Sequence, residues 1–371
     1  MRKAVFLITA MVLSLVFGSC QEKRDVVKIG AVLPLTGGGA TYGVSLKQGI
    51  DLAVEEVNAS GGINGHKLEV IYEDSKSDAK FGVSAFNKLA DVDKVPLVFG
   101  SLSGIILAIQ PEADKRGVVL INTSAKSPLI CENANNFLFS LMLNGDVETI
   151  FMAREFQSKF PNEKIAVLYS NNASGIDTKD KFIQNLSQLG NLNYITESYE
   201  LDVTNFKIQL NRIKESKAKY GYLIALSSKE FADVLKQTKE LGLNMKWFSY
   251  SGIETKETIE LAKESANGVI YSYPKYDDSD TLYSSLQTKY AKKYNSWADL
   301  YTVTSYDGVY LIAKAMKEYG TTAIDIQKGL RSIEKFDGIF GNVKFSNSGK
   351  QCVDGTLLWK TIENNQYKIM E

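Results

Sequence analysis

The 371-residue sequence has only one histidine, only three cysteines and no long run of basic residues. The single histidine, His66, excludes zinc sites built from several histidines, and it leaves no Ser-His-Asp arrangement unless His66 reaches a cleft. We therefore expect no enzyme activity, no metal and no cofactor. Lysine plus arginine equals aspartate plus glutamate at 43 each, and this near-neutral balance argues against nucleic acid as a partner.

Long apolar segments are also absent beyond the N-terminus, so we expect no membrane-spanning helix. At the N-terminus, residues 4–17 are apolar apart from two hydroxyl side chains, and they follow the positive residues Arg2 and Lys3. This run is too short to span a bilayer but suits the core of a secretory signal. We predict a signal peptide over residues 1–19, whose removal would leave a net charge of about −2.

The predicted signal peptide ends at a cysteine. Gly18 and Ser19 directly precede Cys20 and resemble the bacterial lipobox, in which the cysteine thiol is acylated before cleavage, although Phe17 departs from the usual leucine. The resemblance implies an exported protein held to the cell envelope by lipid on Cys20, with residues 20–25 as a polar tether. The alternative is an ordinary secretory signal with an incidental cysteine.

The rest of the sequence alternates between strand and helix patterns, and this alternation occurs twice. Short β-rich apolar runs are separated by segments whose apolar residues recur at helical spacing. Leu46, Ile50, Val54 and Val57 are one example of that spacing. These runs are residues 27–33, 68–72, 96–100 and 118–121, and then 165–169, 194–196, 220–226, 247–250 and 268–271. The pattern predicts an α/β fold of two doubly wound, Rossmann-like halves. Because ligands bind outside the carboxyl ends of such strands, two facing halves would share a central cleft.

Short motifs in a fixed order identify a family resemblance. They are LPLTG at 33–37, GGING at 61–65, ED at 73–74, GSLSG at 100–104, Ala125 with SPL at 127–129, SYDG at 305–308 and GNVKFS at 341–346. In this order they resemble the type I periplasmic binding proteins, and within them the branched-chain amino-acid (Leu/Ile/Val)-binding group.

The resemblance implies two lobes joined by three crossovers. Lobe 1 would comprise residues 26–143 and 274–338, and lobe 2 residues 144–273 and 339–371. It further implies that the lobes close by a hinge motion on a small-molecule ligand and deliver it to an ABC permease in the membrane. A lipid-anchored sensor for a signalling partner is the alternative, and in either case we expect a monomer.

In lobe 1 the resemblance places a ligand carboxylate at Ser103 and Gly104, after a strand and at the start of a helix, where free N–H groups favour an anion. Ser103 would also be suited to cap that helix. Tyr42 matches an aromatic residue that packs on the ligand, or it is plain surface.

The loop with Ser124 and Ala125 also belongs to the predicted site. Lys126 stands where family members usually have threonine or serine. Its ammonium would either neutralise an anionic ligand in the closed cleft or extend into solvent.

Lobe 2 departs further from the family. Ser174 and Ser227 lie where amino-acid binders place aromatic residues. The acidic residue that meets a ligand ammonium is expected near Gly252, where Glu254 is the nearest candidate. Asp146 is another candidate, although it is also a suitable helix N-cap. These departures leave the ligand open between an amino acid and a related carboxylate or amide.

Two cysteines, Cys131 and Cys352, follow Cys20. They would be able to pair in an oxidising compartment, but their separation in sequence does not decide whether they do.

Overall fold

The computed structural model describes residues 26–275, 281–334, 336–339, 341–343, 345, 352–353 and 355–370. The predicted signal peptide, Cys20 and the rest of the tether lie outside the described residues. In the described part of the chain, no helix combines the length and the apolar character needed to cross a membrane.

The first half of the chain forms a five-stranded parallel sheet in the order β2-β1-β3-β4-β5. Its strands are β1 Val27–Leu33, β2 Leu68–Asp74, β3 Leu97–Gly100, β4 Val119–Asn122 and β5 Leu138–Ser140. The helices between them are α1 Ala40–Ala59, α2 Ala79–Asn87 with a π-helical turn at Lys88–Val92, α3 Ser103–Arg116 and α4 Pro128–Glu132. β3, β4 and β5 are buried throughout, which explains why they are apolar up to Asn122 and Ser140, the last residues of β4 and β5.

A second parallel sheet begins after β5. Its first strands are β6 Ile165–Ser170, β7 Tyr194–Tyr199, β8 Tyr220–Ile224, β9 Lys246–Tyr250 and β10 Ile270–Pro274. They alternate with α5 Gly145–Lys159, α6 Ala173–Gln188, α7 Lys207–Glu215, α8 Ser228–Glu240 and α9 Lys256–Ala262, and with 3₁₀ turns at Ser251–Ile253 and Lys263–Ala266.

The chain then returns to the first half. The returning elements are α10 Thr281–Tyr294, α11 Leu300–Tyr319, α12 Ala323–Ser332 and the hairpin β11 Phe336–Gly338 with β12 Gly341–Val343. α11 crosses α1 closely: Ser45 donates to the Asp299 carboxylate at 2.6 Å, and Gly49 leaves room for the backbone of Thr302.

The last strands, β13 Leu357–Glu363 and β14 Gln366–Ile369, run antiparallel and complete the second sheet in the order β14-β13-β10-β9-β8-β6-β7. The structure thus confirms the predicted fold class of two doubly wound α/β lobes.

Part of the C-terminal segment that we predicted to belong to lobe 2 lies against the first sheet. Cys352 pairs with Ser140 at the end of β5, and the ring of Phe345 lies 5.0 Å from that of Phe139. Cys352 also forms a disulfide with Cys131 in α4, across 221 residues of sequence.

Candidate ligand-binding site

A narrow cavity of about 30 Å³ lies between the two lobes. Its lining residues are Tyr42, Leu102, Ser103, Ser124, Ala125, Lys126, Ser174, Leu226, Tyr250 and Tyr301. Six of the ten predicted ligand-binding residues are in this set, and Gly104 follows Ser103 in the first turn of α3.

The start of α3 provides hydrogen-bond donors to the cavity. Leu102, just before the helix, has φ +62°, a conformation that costs a non-glycine residue about 1–3 kcal/mol. Its N–H donates to the Ser124 hydroxyl at 3.2 Å. The N–H groups of Ser103 and Gly104 belong to the first turn, where a helix has no acceptors of its own and its dipole is positive. This end of α3 therefore suits an anion.

Ser103 joins α3 to the loop after β4. Its hydroxyl oxygen accepts hydrogen bonds from the N–H groups of Lys126 at 3.2 Å and Ser127 at 3.1 Å. No side chain caps α3, so Ser103 does not have the capping role considered above. Because two donors occupy the hydroxyl oxygen, its proton is directed elsewhere and is available to an anion in the cavity.

Asn122 at the end of β4 fixes the same loop. Its side-chain oxygen accepts from the N–H groups of Ser124 at 3.2 Å and Ala125 at 2.8 Å. Its amide nitrogen donates to the Ala125 carbonyl at 2.8 Å and to the Ser140 hydroxyl at 2.9 Å. Asn122 is fully buried, so these bonds hold Ser124 and Ala125 at the cavity wall.

Three tyrosines form an aromatic wall. Tyr42, in the first turn of α1, is buried rather than plain surface, and its ring centroid lies 4.6 Å from that of Tyr301. Its hydroxyl donates to the Gly252 carbonyl of the second lobe at 3.3 Å. The Tyr250 hydroxyl donates to the Ala225 carbonyl at 2.5 Å. Burial raises the pKa of Tyr42, Tyr250 and Tyr301, so all three stay neutral.

Lys126 crosses the cleft. Its side chain is buried and its Nζ lies 2.8 Å from Oε2 of Glu148 in α5 and also donates to the Ser251 hydroxyl. The ammonium lies 5.3 Å from the centre of the Tyr250 ring. Burial lowers the pKa of Lys126, and the Glu148 carboxylate opposes that shift. The alternative that Lys126 extends into solvent is therefore wrong, because a buried carboxylate holds the ammonium inside.

A second helix begins opposite α3. Asn172 caps α6 by accepting from the Gly175 N–H at 3.0 Å, and Ser174 in the first turn lines the cavity. A Cβ atom built on Gly104 would lie 3.7 Å from that of Ala173. The N-termini of α3 and α6 thus face each other across the cleft.

Three predicted residues lie outside the cavity. Ser227 caps α8 and lines a separate inter-lobe cavity of about 400 Å³. Glu254 accepts from the Tyr271 hydroxyl and pairs with Lys360 at 2.7 Å. Asp146 lies 3.6 Å from Lys181, and Asn144 rather than Asp146 caps α5. Neither candidate acidic residue reaches the cavity.

Other site residues were not predicted. Tyr250 and Leu226 lie at or just beyond the carboxyl ends of β9 and β8, where the general rule for such sheets places ligands. Tyr301 lies in the first turn of α11, and its near-helical spacing with Tyr306 and Tyr310 is more typical of core residues than of a ligand site. Glu148 lies inside α5, and no local sequence signal marks it as the partner of Lys126. Within the described ranges, no group of three or more His, Cys, Asp or Glu residues is arranged to hold a metal ion.

The sequence and the fold of this chain are similar to those of known proteins. Residues 26–360 match the family model described as periplasmic binding protein. The Leu/Ile/Val-binding protein homolog 1 of Brucella abortus is 25% identical over 362 residues, covering 97% of this chain and 96% of the relative.

Two solved structures share the fold. A leucine-binding protein from Thermotoga maritima has a TM-score of 0.85 at 20% identity, covering 93% of this chain and 98% of that one. A solute-binding protein from R. palustris in complex with benzoate has a TM-score of 0.84 at 16% identity, covering 93% and 96%. The chain therefore belongs to the periplasmic binding proteins, a family of solute-binding proteins and not of enzymes.

Proposed function

We propose that this protein is the extracytoplasmic substrate-binding lipoprotein of an ABC-type transporter. It captures a small solute, an amino acid or a related carboxylate or amide, by closure of its two lobes. It then delivers that solute to a membrane permease. Lipid on Cys20 would hold it to the cell envelope, and a periplasmic-binding family implies a location outside the cytoplasm.

The observation that carries this proposal is the pair of helix N-termini at the cavity. Ser103 in the first turn of α3 and Ser174 in the first turn of α6 both line the cavity, so two positive helix ends lie beside the same space. The Ser103 hydroxyl proton is available there. A carboxylate would receive several charge-assisted hydrogen bonds in a water-excluded setting, where such bonds are strong.

The size of the cavity supports a hinge motion. Its volume of about 30 Å³ suits one or two water molecules. A solute of even a few heavy atoms therefore enters only if the lobes separate. Several contacts join the lobes when they are together, including Thr41 to Glu257, Ser127 to Asp177 and Tyr42 to Gly252.

Removal of the Ser103 hydroxyl tests the proposal. We expect Ser103→Ala to weaken binding of a carboxylate solute by about tenfold or more, since a hydrogen bond to a charged group contributes about 1.5–3 kcal/mol. The measurement is a thermal-shift screen of amino acids, amides and short aliphatic and aromatic acids, followed by calorimetric titration of each solute that stabilises the protein. At 100 times its Kd a solute adds about 2.7 kcal/mol to the unfolding free energy.

The exposed Ser285, in α10, provides the matched control as Ser285→Ala, which should bind as the wild type does. Equal affinity of Ser103→Ala and wild type would contradict the assigned carboxylate position. Absence of stabilisation by every solute in the screen would contradict the proposed function. In cells, loss of solute uptake on deletion of the gene would support transport, and unchanged uptake would favour the sensor.

A further inference from the structure

The ion pair between Lys126 and Glu148 is more deeply buried than is usual for lysine and glutamate. Their relative exposures are 5% and 3%. Each oxygen of the Glu148 carboxylate has a protein partner: Oε2 receives the Lys126 ammonium at 2.8 Å and Oε1 receives the Ser251 hydroxyl at 3.0 Å. The Ser272 hydroxyl adds a longer contact to Oε1 at 3.4 Å. Glu148 is thus fully engaged by the protein.

An α-amino acid would bring two charges into this cavity. Its carboxylate is suited to the start of α3, but its ammonium also needs a carboxylate or several acceptors once water is excluded. Glu148 is the buried carboxylate that lies beside Lys126 of the cavity wall, and Lys126 already neutralises it. Glu254 is paired with Lys360, and Asp146 lies near Lys181.

The remaining cavity wall is neutral. Lys126 is the one charged side chain among the ten lining residues. The others are three serines, one alanine, three tyrosines and two leucines, none of which carries a charge. Such a wall suits an anionic head group joined to an apolar or aromatic body.

We propose that the Lys126 ammonium occupies the position on Glu148 that the ammonium of an α-amino acid would need, so that the cleft selects monocarboxylates without an α-ammonium. The inference rests on the proposed function and makes Lys126 its specificity-determining residue.

Matched pairs of solutes test this selection. We expect 4-methylpentanoate to bind at least tenfold more tightly than leucine, and 3-phenylpropanoate at least tenfold more tightly than phenylalanine, in calorimetric titrations of the wild-type protein. Each pair differs only in the ammonium group. Tighter binding of both amino acids would overturn the inference and leave the proposed function standing. Failure of all four, together with the wider screen, would overturn the proposed function.

Two variants locate the effect at the ion pair. Lys126→Ala frees Glu148, so leucine and phenylalanine should gain affinity by tenfold or more relative to wild type. The double variant with Lys126→Met and Glu148→Gln keeps the side-chain volumes without a buried charge, and it should not show that gain. Circular dichroism and unliganded melting temperatures establish that each variant folds.

If Lys126→Ala is unfolded, Lys126→Met decides the question, because it keeps the side-chain volume and still frees Glu148. It should show the same gain in affinity for leucine and phenylalanine. Unchanged affinity of both amino acids in Lys126→Met would overturn the role of Lys126.

Discussion

Asp74 shows how one side chain can shape an entrance to the cleft. Its Oδ1 accepts from the N–H groups of Leu35, Thr36 and Lys76 at 3.0, 3.2 and 2.8 Å, and its Oδ2 accepts from the Thr36 hydroxyl at 2.6 Å. These bonds hold the turn between β1 and the glycine-rich loop that leads into Tyr42. Partial burial raises the pKa of Asp74, but these hydrogen bonds lower it by more, so the net shift is downward.

Replacement of Asp74 should therefore have a pH-dependent cost. A carboxyl whose folded pKa lies below its unfolded value of about 3.9 stabilises the fold fully above that value, and the stabilisation is lost as pH falls through the folded pKa. We expect Asp74→Ala to lower the unfolding free energy at pH 7 by about 1–3 kcal/mol, since charge-assisted hydrogen bonds are lost. Urea titrations at pH 7 and pH 3 measure the difference, which should shrink at pH 3.

Asp114, an exposed residue in α3, serves as the control. Asp114→Ala should change stability by less than about 0.5 kcal/mol at either pH. A penalty for Asp74→Ala that is the same at pH 3 as at pH 7 would show that its hydrogen bonds do not depend on ionisation.

At the residue scale, the sequence predicts the part of the site that follows short motifs. Ser103, Tyr42 and the loop around Ala125 were placed by their positions after strands and by family resemblance. The partner of Lys126 was not predictable in this way, because Glu148 lies 22 residues further along in a helix and meets the lysine only through tertiary packing.

At the element scale, the crossing of α1 and α11 depends on a glycine. A Cβ atom on Gly49 would overlap the Thr302 carbonyl oxygen and the Ser305 hydroxyl. Relief of the first overlap requires movement of a helix backbone and not merely of a side chain. The absence of a side chain at Gly49 therefore sets the distance between the two helices.

We expect Gly49→Ala to destabilise the protein by about 1–3 kcal/mol, the usual cost of overpacking, partly offset by the better helix propensity of alanine. Chemical denaturation monitored by circular dichroism measures the loss. Gly38→Ala is the matched control. A Cβ atom there would meet only a carboxylate oxygen of Asp202, at an ordinary contact distance of 3.5 Å. Equal stability of the two variants would show that α11 shifts at little cost.

Element boundaries were predictable where apolar runs and turns coincide. β1 matches its predicted range, residues 27–33, and α6 begins at Ala173, directly after the cap at Asn172. β13 and β14 were not predicted as strands. They form an antiparallel edge whose side chains are largely half-buried or exposed, so they lack the continuous apolar character of the inner strands.

At the scale of the whole molecule, the disulfide connects distant parts of the chain. Cys131 lies in α4, whose Glu132 pairs with Lys181 of the second lobe at 2.7 Å, and Cys352 lies in the segment that leads into β13. The bond thus fastens this segment to the first lobe, beside the contact between the lobes.

Loss of this cross-link should destabilise the folded protein. With Cys131→Ser and Cys352→Ser combined, we expect the unfolding free energy to fall by about 2–5 kcal/mol, as is usual when a disulfide that closes a long loop is removed. Urea denaturation measures this, and wild type treated with a reductant should behave like the double variant. Coincident unfolding of oxidised wild type and the double variant would show that the bond adds no stability.

The fold class was predictable from the repeated alternation of strands and helices, because each half repeats the same local pattern. The return of the chain to the first lobe was implied only by family resemblance. It depends on long-range contacts such as the hydrogen bond between Ser45 and Asp299, 254 residues apart.

The crossing of α1 and α11 also constrains the order of folding. The strands of the first sheet all precede residue 141, yet α11 ends at Tyr319. The second sheet's strands β6 to β10 lie between them in the chain, so they are complete before α11 has been synthesised. As the chain emerges from its N-terminus, the face of α1 that packs against α11 therefore has no α11 to cover it until β6 to β10 have also emerged.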